Sequence, residues 1–321
     1  MKKMIALTLS ILMLLSLSAC GGSGGADEKD VPVVGICQFM PHVALDQATK
    51  GFKDALIEEF GEDGIKFEED NAAGETSNCT SIVNSLLSAK VDLIMANATP
   101  AVQAAANATK TVPVLGTSVT EYGVALGIAD FTGVTGTNVS GTSDLADLEK
   151  QADMIVQWCP DVKNVGLVFC SAEANSQYQV DKVQGYLEAK GITCQQFPFS
   201  DTNDMSAVVR DAADWSDAIY VPTDNTVADN AAVVDGICRP AKIPVFAGEE
   251  GICAGCGVAT LSISYYELGV TTGKMAAKIL KGEATAAEMA IEYAPNVTPK
   301  YNAAICEELG ITPVEGYEPI S

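Results

Sequence analysis

The chain has 321 residues, with 42 Asp and Glu against 19 Lys and Arg and a formal net charge of −23. So few basic groups exclude a nucleic-acid binder, whose affinity depends on neutralising phosphates, and a protein held to anionic lipid by charge alone. Residues 31–321 suffice for two domains with cores of their own, at roughly 100 to 200 residues per domain.

In chain order, Met1-Lys2-Lys3 and the apolar run over 5–17 read as a secretory signal, too short for the roughly 20 apolar residues of a membrane span. Leu17-Ser18-Ala19-Cys20, followed by Gly21 and Gly22, resembles a bacterial lipobox. The resemblance implies a cleaved lipoprotein signal peptide over 1–19 and a diacylglycerol on the Cys20 sulfur. It also implies a mature chain anchored outside the cytoplasm by lipid, at the cell surface or in the periplasm. Residues 20–30, with GGSGGADEKD after the cysteine, lack buriable side chains and read as a flexible tether.

From there, short β-branched apolar runs alternate with segments of helical periodicity, the pattern of an α/β protein. The runs predict strands over 31–39, 65–71, 92–99 and 113–118, then over 164–171, 192–199, 218–224, 243–249 and 257–264. Most are apolar on both faces, as in a parallel sheet covered by helices. A helix over 46–60 places Phe52, Ala55, Leu56 and Phe60 on one face behind a capping Asp46. Another over 81–87 buries Ile82, Val83, Leu86 and Leu87, and a last one over 265–281 aligns Leu268, Thr272, Met275 and Ile279 before Gly282 ends it. The strand-helix order runs once before and once after the Gly-rich stretch 132–143, TGVTGTNVSGTS, which reads as a hinge.

Polar residues gather where the predicted strands end: Gln38, Asn97, Thr99, Thr117, Ser118, Glu173, Asn175, Ser176, Thr223, Asp224, Asn225, Glu249 and Glu250. Two open parallel sheets facing each other would bring these ends to one cleft, where such sheets bind ligands. A zwitterionic amino acid there needs hydroxyl and backbone donors for its carboxylate and an acid for its ammonium. Thr99, Thr117 and Ser118 suit the first role; Asp224, with Glu173 or Glu249 as alternates, suits the second. Each of these residue types is also a favoured helix cap, and a capped helix end itself offers amide donors to an anion. Tyr122, Phe39, Tyr178 and Tyr265 are candidates either for stacking on a ligand ring or for the core.

No nucleophile elbow, P-loop, HExxH or dinucleotide fingerprint is present, and His42, the sole histidine, reads as a loop or cleft-lining residue. The reading is therefore of a protein that is not an enzyme and holds no cofactor. Ten cysteines include the lipid site, leaving nine. Cys37, Cys170 and Cys194 sit in strand-like runs, where Cys behaves as a small hydrophobe. Cys253-Ala-Gly-Cys256 has the spacing of a redox pair or half a metal site, but without a second such pair a zinc site lacks ligands, and the two read as loop cysteines.

The segments Gly35-Ile36-Cys37-Gln38-Phe39, His42-Val43-Ala44-Leu45-Asp46, Glu173-Ala174-Asn175-Ser176, Tyr220-Val221-Pro222-Thr223-Asp224-Asn225-Thr226 and Tyr265-Tyr266-Glu267-Leu268-Gly269 carry a family likeness. From about residue 33 to about residue 283 the chain resembles the ABC-transporter substrate-binding proteins typified by the tryptophan and tyrosine binders. The resemblance implies an α/β fold of two Rossmann-like lobes with open parallel sheets flanked by helices, of the type I periplasmic-binding-protein kind. Crossovers near 139, 264 and 290 would divide it into an N-terminal lobe of 31–139 plus 265–289 and a C-terminal lobe of 140–264 plus 290–321. It maps Gln38, Thr99, Ser118, Glu173, Asn175, Ser176 and Asp224 onto the cleft. It further implies a monomer that hands an amino acid to the permease and ATPase subunits of an importer. Glu121-Tyr122-Gly123 replaces the family's Asp-Pro turn, and Pro41 and Val43 flank the early histidine, so the mouth of the site departs from the pattern. A ligand-sensing partner of a membrane receptor and a secreted hydrolase are the competing expectations.

Overall fold

A computed structural model of the chain describes residues 31–294 and 296–320; the expected signal peptide, Cys20 and the tether lie outside them. In chain order the strands are β1 (Val33–Gln38), β2 (Lys66–Asn71), β3 (Leu93–Asn97), β4 (Val114–Val119), β5 (Val139–Ser143), β6 (Asn164–Cys170) and β7 (Thr193–Phe199). They continue with β8 (Ala218–Val221), β9 (Val245–Ala247), β10 (Ala259–Ile263), β11 (Glu292–Tyr293), β12 (Val297–Tyr301) and β13 (Glu318–Pro319). They form two sheets, ordered β11-β5-β4-β3-β1-β2 and β13-β12-β10-β9-β8-β6-β7. All the pairings of the first sheet are parallel; in the second, β12 runs antiparallel to β10.

The apolar runs explain this layout. Every residue of β3 is buried, because helices cover both faces of a central parallel strand. β2, at the sheet edge, reads KFEEDN and is mostly exposed, and its charges discourage a second chain from pairing there. Val34, Ile36 and Leu93 meet Met275 and Ala276 of the helix Tyr265–Leu280, which therefore belongs to the first lobe although it lies late in the chain. That helix packs against Val43–Phe60 with backbones nearly touching: a Cβ on Gly269 would stand 2.0 Å from the Ala48 carbonyl oxygen, and one on Gly51 would stand 2.1 Å from that of Tyr266. Only glycine permits such an approach. The second core joins Trp158, Leu167, Phe169, Tyr220 and Phe246.

The stretch expected as a hinge is in part a strand. β5 pairs with β4, and Gly141, with φ +140°, lets the two backbones approach until a Cβ would lie 2.0 Å from the Gly116 oxygen. The glycines that resemble loop punctuation serve close strand packing instead. The first sheet thus runs on through Ser143 and takes up Glu292–Tyr293. Asp46 is likewise not a helix cap. The helix starts at Val43, and the Asp46 carboxylate accepts a hydrogen bond from Gln38 Nε2 at 2.7 Å.

The nine cysteines of the described residues are free. Cys37 and Cys170 are buried in β1 and β6 and Cys194 is half-buried in β7, whereas Cys253 and Cys256 lie buried on the helix Glu250–Cys256 and not in a loop. Burial pushes both thiols well above their usual range, so neither is a ready thiolate. Among the described residues no group of three or more His, Cys, Asp or Glu could hold a metal ion, and no helix is long and apolar enough to cross a membrane.

Candidate functional site

The carboxyl ends of strands from both sheets converge on one small cavity, as expected of open parallel sheets. It is lined by His42 after β1, Ser118 of β4, Asp144 after β5, Asn175 after β6, Asp224 and Asn225 after β8, Glu249 after β9 and Tyr265 after β10. Thr120, Thr223, Leu45 and Ala228 complete its wall. Its volume is about 10 Å³, room for about one water molecule, so the lobes are closed tightly on each other.

Ser118, Asn175, Asp224, Asn225 and Glu249, of the residues expected at the cleft, line this cavity. Gln38, Thr99, Thr117, Glu173 and Ser176 do not. The second group is buried in structural networks. Gln38 donates to the Met40 carbonyl at 3.0 Å and to Asp46, while its amide oxygen accepts from Thr49 Oγ1 at 2.6 Å. Thr117 Oγ1 accepts from Thr142, which also bonds Thr272 at 2.8 Å, tying β4 and β5 to the helix Tyr265–Leu280. Thr99 opens the helix Thr99–Ala108 with Pro100 behind it. Ser176 Oγ accepts from Asn175 Nδ2. Glu173 is the most heavily bonded of the set. One oxygen accepts from the backbone and side chain of Asn225, at 3.1 and 2.6 Å, and from Asn175; the other accepts from the backbone and hydroxyl of Thr226, at 2.9 and 2.8 Å.

The cavity-lining carboxylates differ in how they are bonded. Asp224 accepts from Cys170 N at 2.7 Å with one oxygen and from Val227 N at 2.9 Å with the other, joining β6 to the turn it caps. Burial and the neighbouring Glu173 charge push it up to about 7, against those hydrogen bonds. Glu249 accepts from Gly251 N at 2.6 Å and from Ile252 N as a helix cap; burial raises it, while these amides and the facing His42 pull it back. Asp144 accepts from the Tyr265 hydroxyl at 3.1 Å with one oxygen, and its other oxygen, Oδ1, is buried with no partner. Burial pushes Asp144 up to about 6, opposed by the neighbouring Thr120 and Tyr265 hydroxyls.

Ser118 Oγ and Asn175 Oδ1 are also buried without partners. A buried polar atom without a partner costs free energy, and three of them around one cavity mark the places where a ligand would supply partners. Ser118 is held at φ +54° and the nearby Ala98 at φ +85°, left-handed backbone that side chains avoid and that gathers at ligand sites. No Lys or Arg lines the cavity, and His42 is the one basic side chain in its wall beside three carboxylates.

Asp144 is absent from the sequence-based set because the stretch before it reads as a hinge. Once 139–143 is known as a strand, Asp144 stands at a strand's carboxyl end like the others. Of the aromatic candidates, Tyr122 and Phe39 are core residues, the Tyr122 hydroxyl donating to the Thr142 carbonyl at 3.0 Å. Tyr178 packs against the second core, and Tyr265 lines the cavity.

These features define a two-lobe binding protein of the type I periplasmic-binding-protein kind. Residues 33–316 match the family described as ABC transporter substrate binding protein. The chain is 33% identical over 287 residues to the tyrosine-binding protein of Clostridioides difficile strain R20291, a match that covers 87% of this chain and 83% of that one. A structure described as an ABC domain in complex with L-Trp from Streptococcus pneumoniae superposes with a TM-score of 0.85 at 32% identity, covering 90% of this chain and 99% of the other. A ligand-free, open structure of a Clostridium difficile substrate-binding protein with adhesive properties gives 0.69 at 34% identity, covering 91% and 99%. At equal sequence distance, the protein is thus closer in shape to the ligand-bound relative than to the open one. The chain belongs to the ABC-transporter substrate-binding protein family, whose members are extracytoplasmic, bind small molecules and work with a permease. The family and fold are those of solute-binding proteins and not of enzymes.

Proposed function

We propose that this protein is the lipid-anchored solute receptor of an importer and that its solute is an amino acid, with an aromatic side chain as in the tryptophan- and tyrosine-binding relatives. The observation that carries the reading is the unpartnered Oδ1 of Asp144, facing a cavity with carboxylates and neither Lys nor Arg. The ligand ammonium binds Asp144, with Asn175 Oδ1 as its second acceptor. This role passes from Asp224 because both Asp224 oxygens already hold backbone amides; Asp224 and Glu249 contribute negative charge. The ligand carboxylate takes the Ser118 and Thr120 hydroxyls, and Tyr265 lies along the side chain. The lobes, which we delimit by the chain crossings after Ser143, Ile263 and Tyr293, open to admit the solute and close over it. The closed monomer is then presented to the permease, with no reaction catalysed and no cofactor held.

A thermal-shift screen of the purified protein against amino acids, nucleosides and simple sugars tests this, since a ligand that binds the folded state raises Tm. Shifts with L-tryptophan, L-tyrosine or L-phenylalanine are expected; shifts with sugars or nucleosides alone would refute the amino-acid assignment. The Cys20→Ala variant should leave the membrane fraction in a salt wash, and its retention there would remove the lipid anchor from this reading.

A further inference from the structure

We propose that His42 is a closing residue, whose imidazole bridges the lobes to Asn225 at the cavity and slows the escape of the ligand. The proposal rests on the binding function above. His42 precedes the helix Val43–Phe60 of the first lobe; Asn225 begins a short helix of the second. His42 Nε2 lies 3.1 Å from Asn225 Oδ1. Among the described residues it is one of two direct hydrogen bonds between side chains of the two lobes, and the other, from the Tyr265 hydroxyl to Asp144, sits beside the crossings, so His42–Asn225 is the one made away from them.

The bond is oriented from behind. Asn225 Nδ2 donates to Glu173 Oε2 at 2.6 Å, and the Asn225 backbone amide donates to the same oxygen. A flipped amide would set its oxygen against that carboxylate, so Oδ1 faces the first lobe as an acceptor. His42 therefore carries its proton on Nε2, a condition met by the neutral Nε2–H tautomer and by the imidazolium alike. Both residues wall the cavity, so opening the lobes breaks the bond as it exposes the ligand.

An interaction made only in the closed form contributes to retention and not to the folding of either lobe. One hydrogen bond of this kind corresponds to about a tenfold change in an equilibrium or rate. For His42→Ala, stopped-flow fluorescence with L-tryptophan or L-tyrosine should show dissociation about tenfold faster, with association within about twofold of wild type. The Tm of the unliganded variant should stay at the wild-type value. His42→Gln, whose amide can donate to the same acceptor, should recover part of the loss. Unchanged dissociation in His42→Ala, or a His42→Gln variant as fast as His42→Ala, would overturn the proposal. If neither amino acid binds the wild type, the functional reading falls, and small-angle scattering decides the bridge separately. A larger radius of gyration for His42→Ala than for wild type supports it, and equal radii overturn it.

Discussion

Two regions around the cavity bond their polar groups differently, the β6, β8 and β9 ends of the second lobe on one side and the ends of β4 and β5 at the crossing on the other. Glu173, Asp224 and Glu249 are satisfied by backbone amides: Glu173 holds those of Asn225 and Thr226 and Asp224 that of Cys170, which ties the ends of β6 and β8 together, while Asp224 and Glu249 also cap the helices that follow them. Ser118 of the first lobe, Asp144 just past the crossing after Ser143 and Asn175 of the second lobe instead keep buried oxygens without partners. The same residue types thus act as frame in one place and as receptor in the other. Residue type does not separate the two roles; the count of satisfied lone pairs does.

Breaking the frame should give the largest effect. In Glu173→Ala, the amides of Asn225 and Thr226 and the Asn175 side chain lose their acceptor inside a closed region. Stranding buried donors costs roughly 1 to 3 kcal/mol each, so the loss should be about 3 kcal/mol or more. In a chain of this size that lowers Tm by roughly 6 to 12 °C. Thermal unfolding without ligand measures it. A variant that melts with wild type but binds poorly would move Glu173 from frame to receptor.

The fold was legible where the sequence repeats a strong pattern and illegible where glycine has two meanings. The nine expected strands are β1 to β4 and β6 to β10, each within a few residues, because runs such as Val-Asp-Leu-Ile-Met-Ala must be buried on both faces. β5 was hidden: its Gly141 and hydroxyl residues carry the composition of a loop, and the close approach to Gly116 that explains them is a tertiary fact. The two-residue strands β11 and β13, and the antiparallel β12, have no local pattern to betray them. The rule that ligands meet strand ends names five of the residues that line the interlobe cavity, Ser118, Asn175, Asp224, Asn225 and Glu249. It could not tell that Gln38 and Thr117 point into networks with Thr49 and Thr142, since that depends on residues 11 and 25 positions away.

Asp144→Asn sharpens the contrast from the receptor side, with a smaller effect on stability and one of opposite direction. Asp144 sits at about 6 in the fold against an ordinary 3.8, so the unliganded protein pays for its ionisation. That penalty is absent below about pH 4, grows as pH rises through the interval, and is complete above about pH 6, where it amounts to about 3 kcal/mol. Asp224, pushed up to about 7 by burial and the Glu173 charge, acts in the same direction. Asp54, Asp147 and Asp204 are held below their usual range by lysine or amide partners, and their opposing contribution is lost only at lower pH. Unliganded wild type should therefore melt higher at pH 5 than at pH 7.5. Asp144→Asn should narrow that difference and melt above wild type at pH 7.5. An ammonium-bearing ligand supplies the missing counter-charge, so saturating L-tryptophan should also narrow the difference in wild type. The same variant should bind L-tryptophan at least about tenfold more weakly, the loss expected for a charged partner. A variant destabilised at pH 7.5 that keeps wild-type affinity would make Asp144 another member of the frame and leave the ammonium to Asp224.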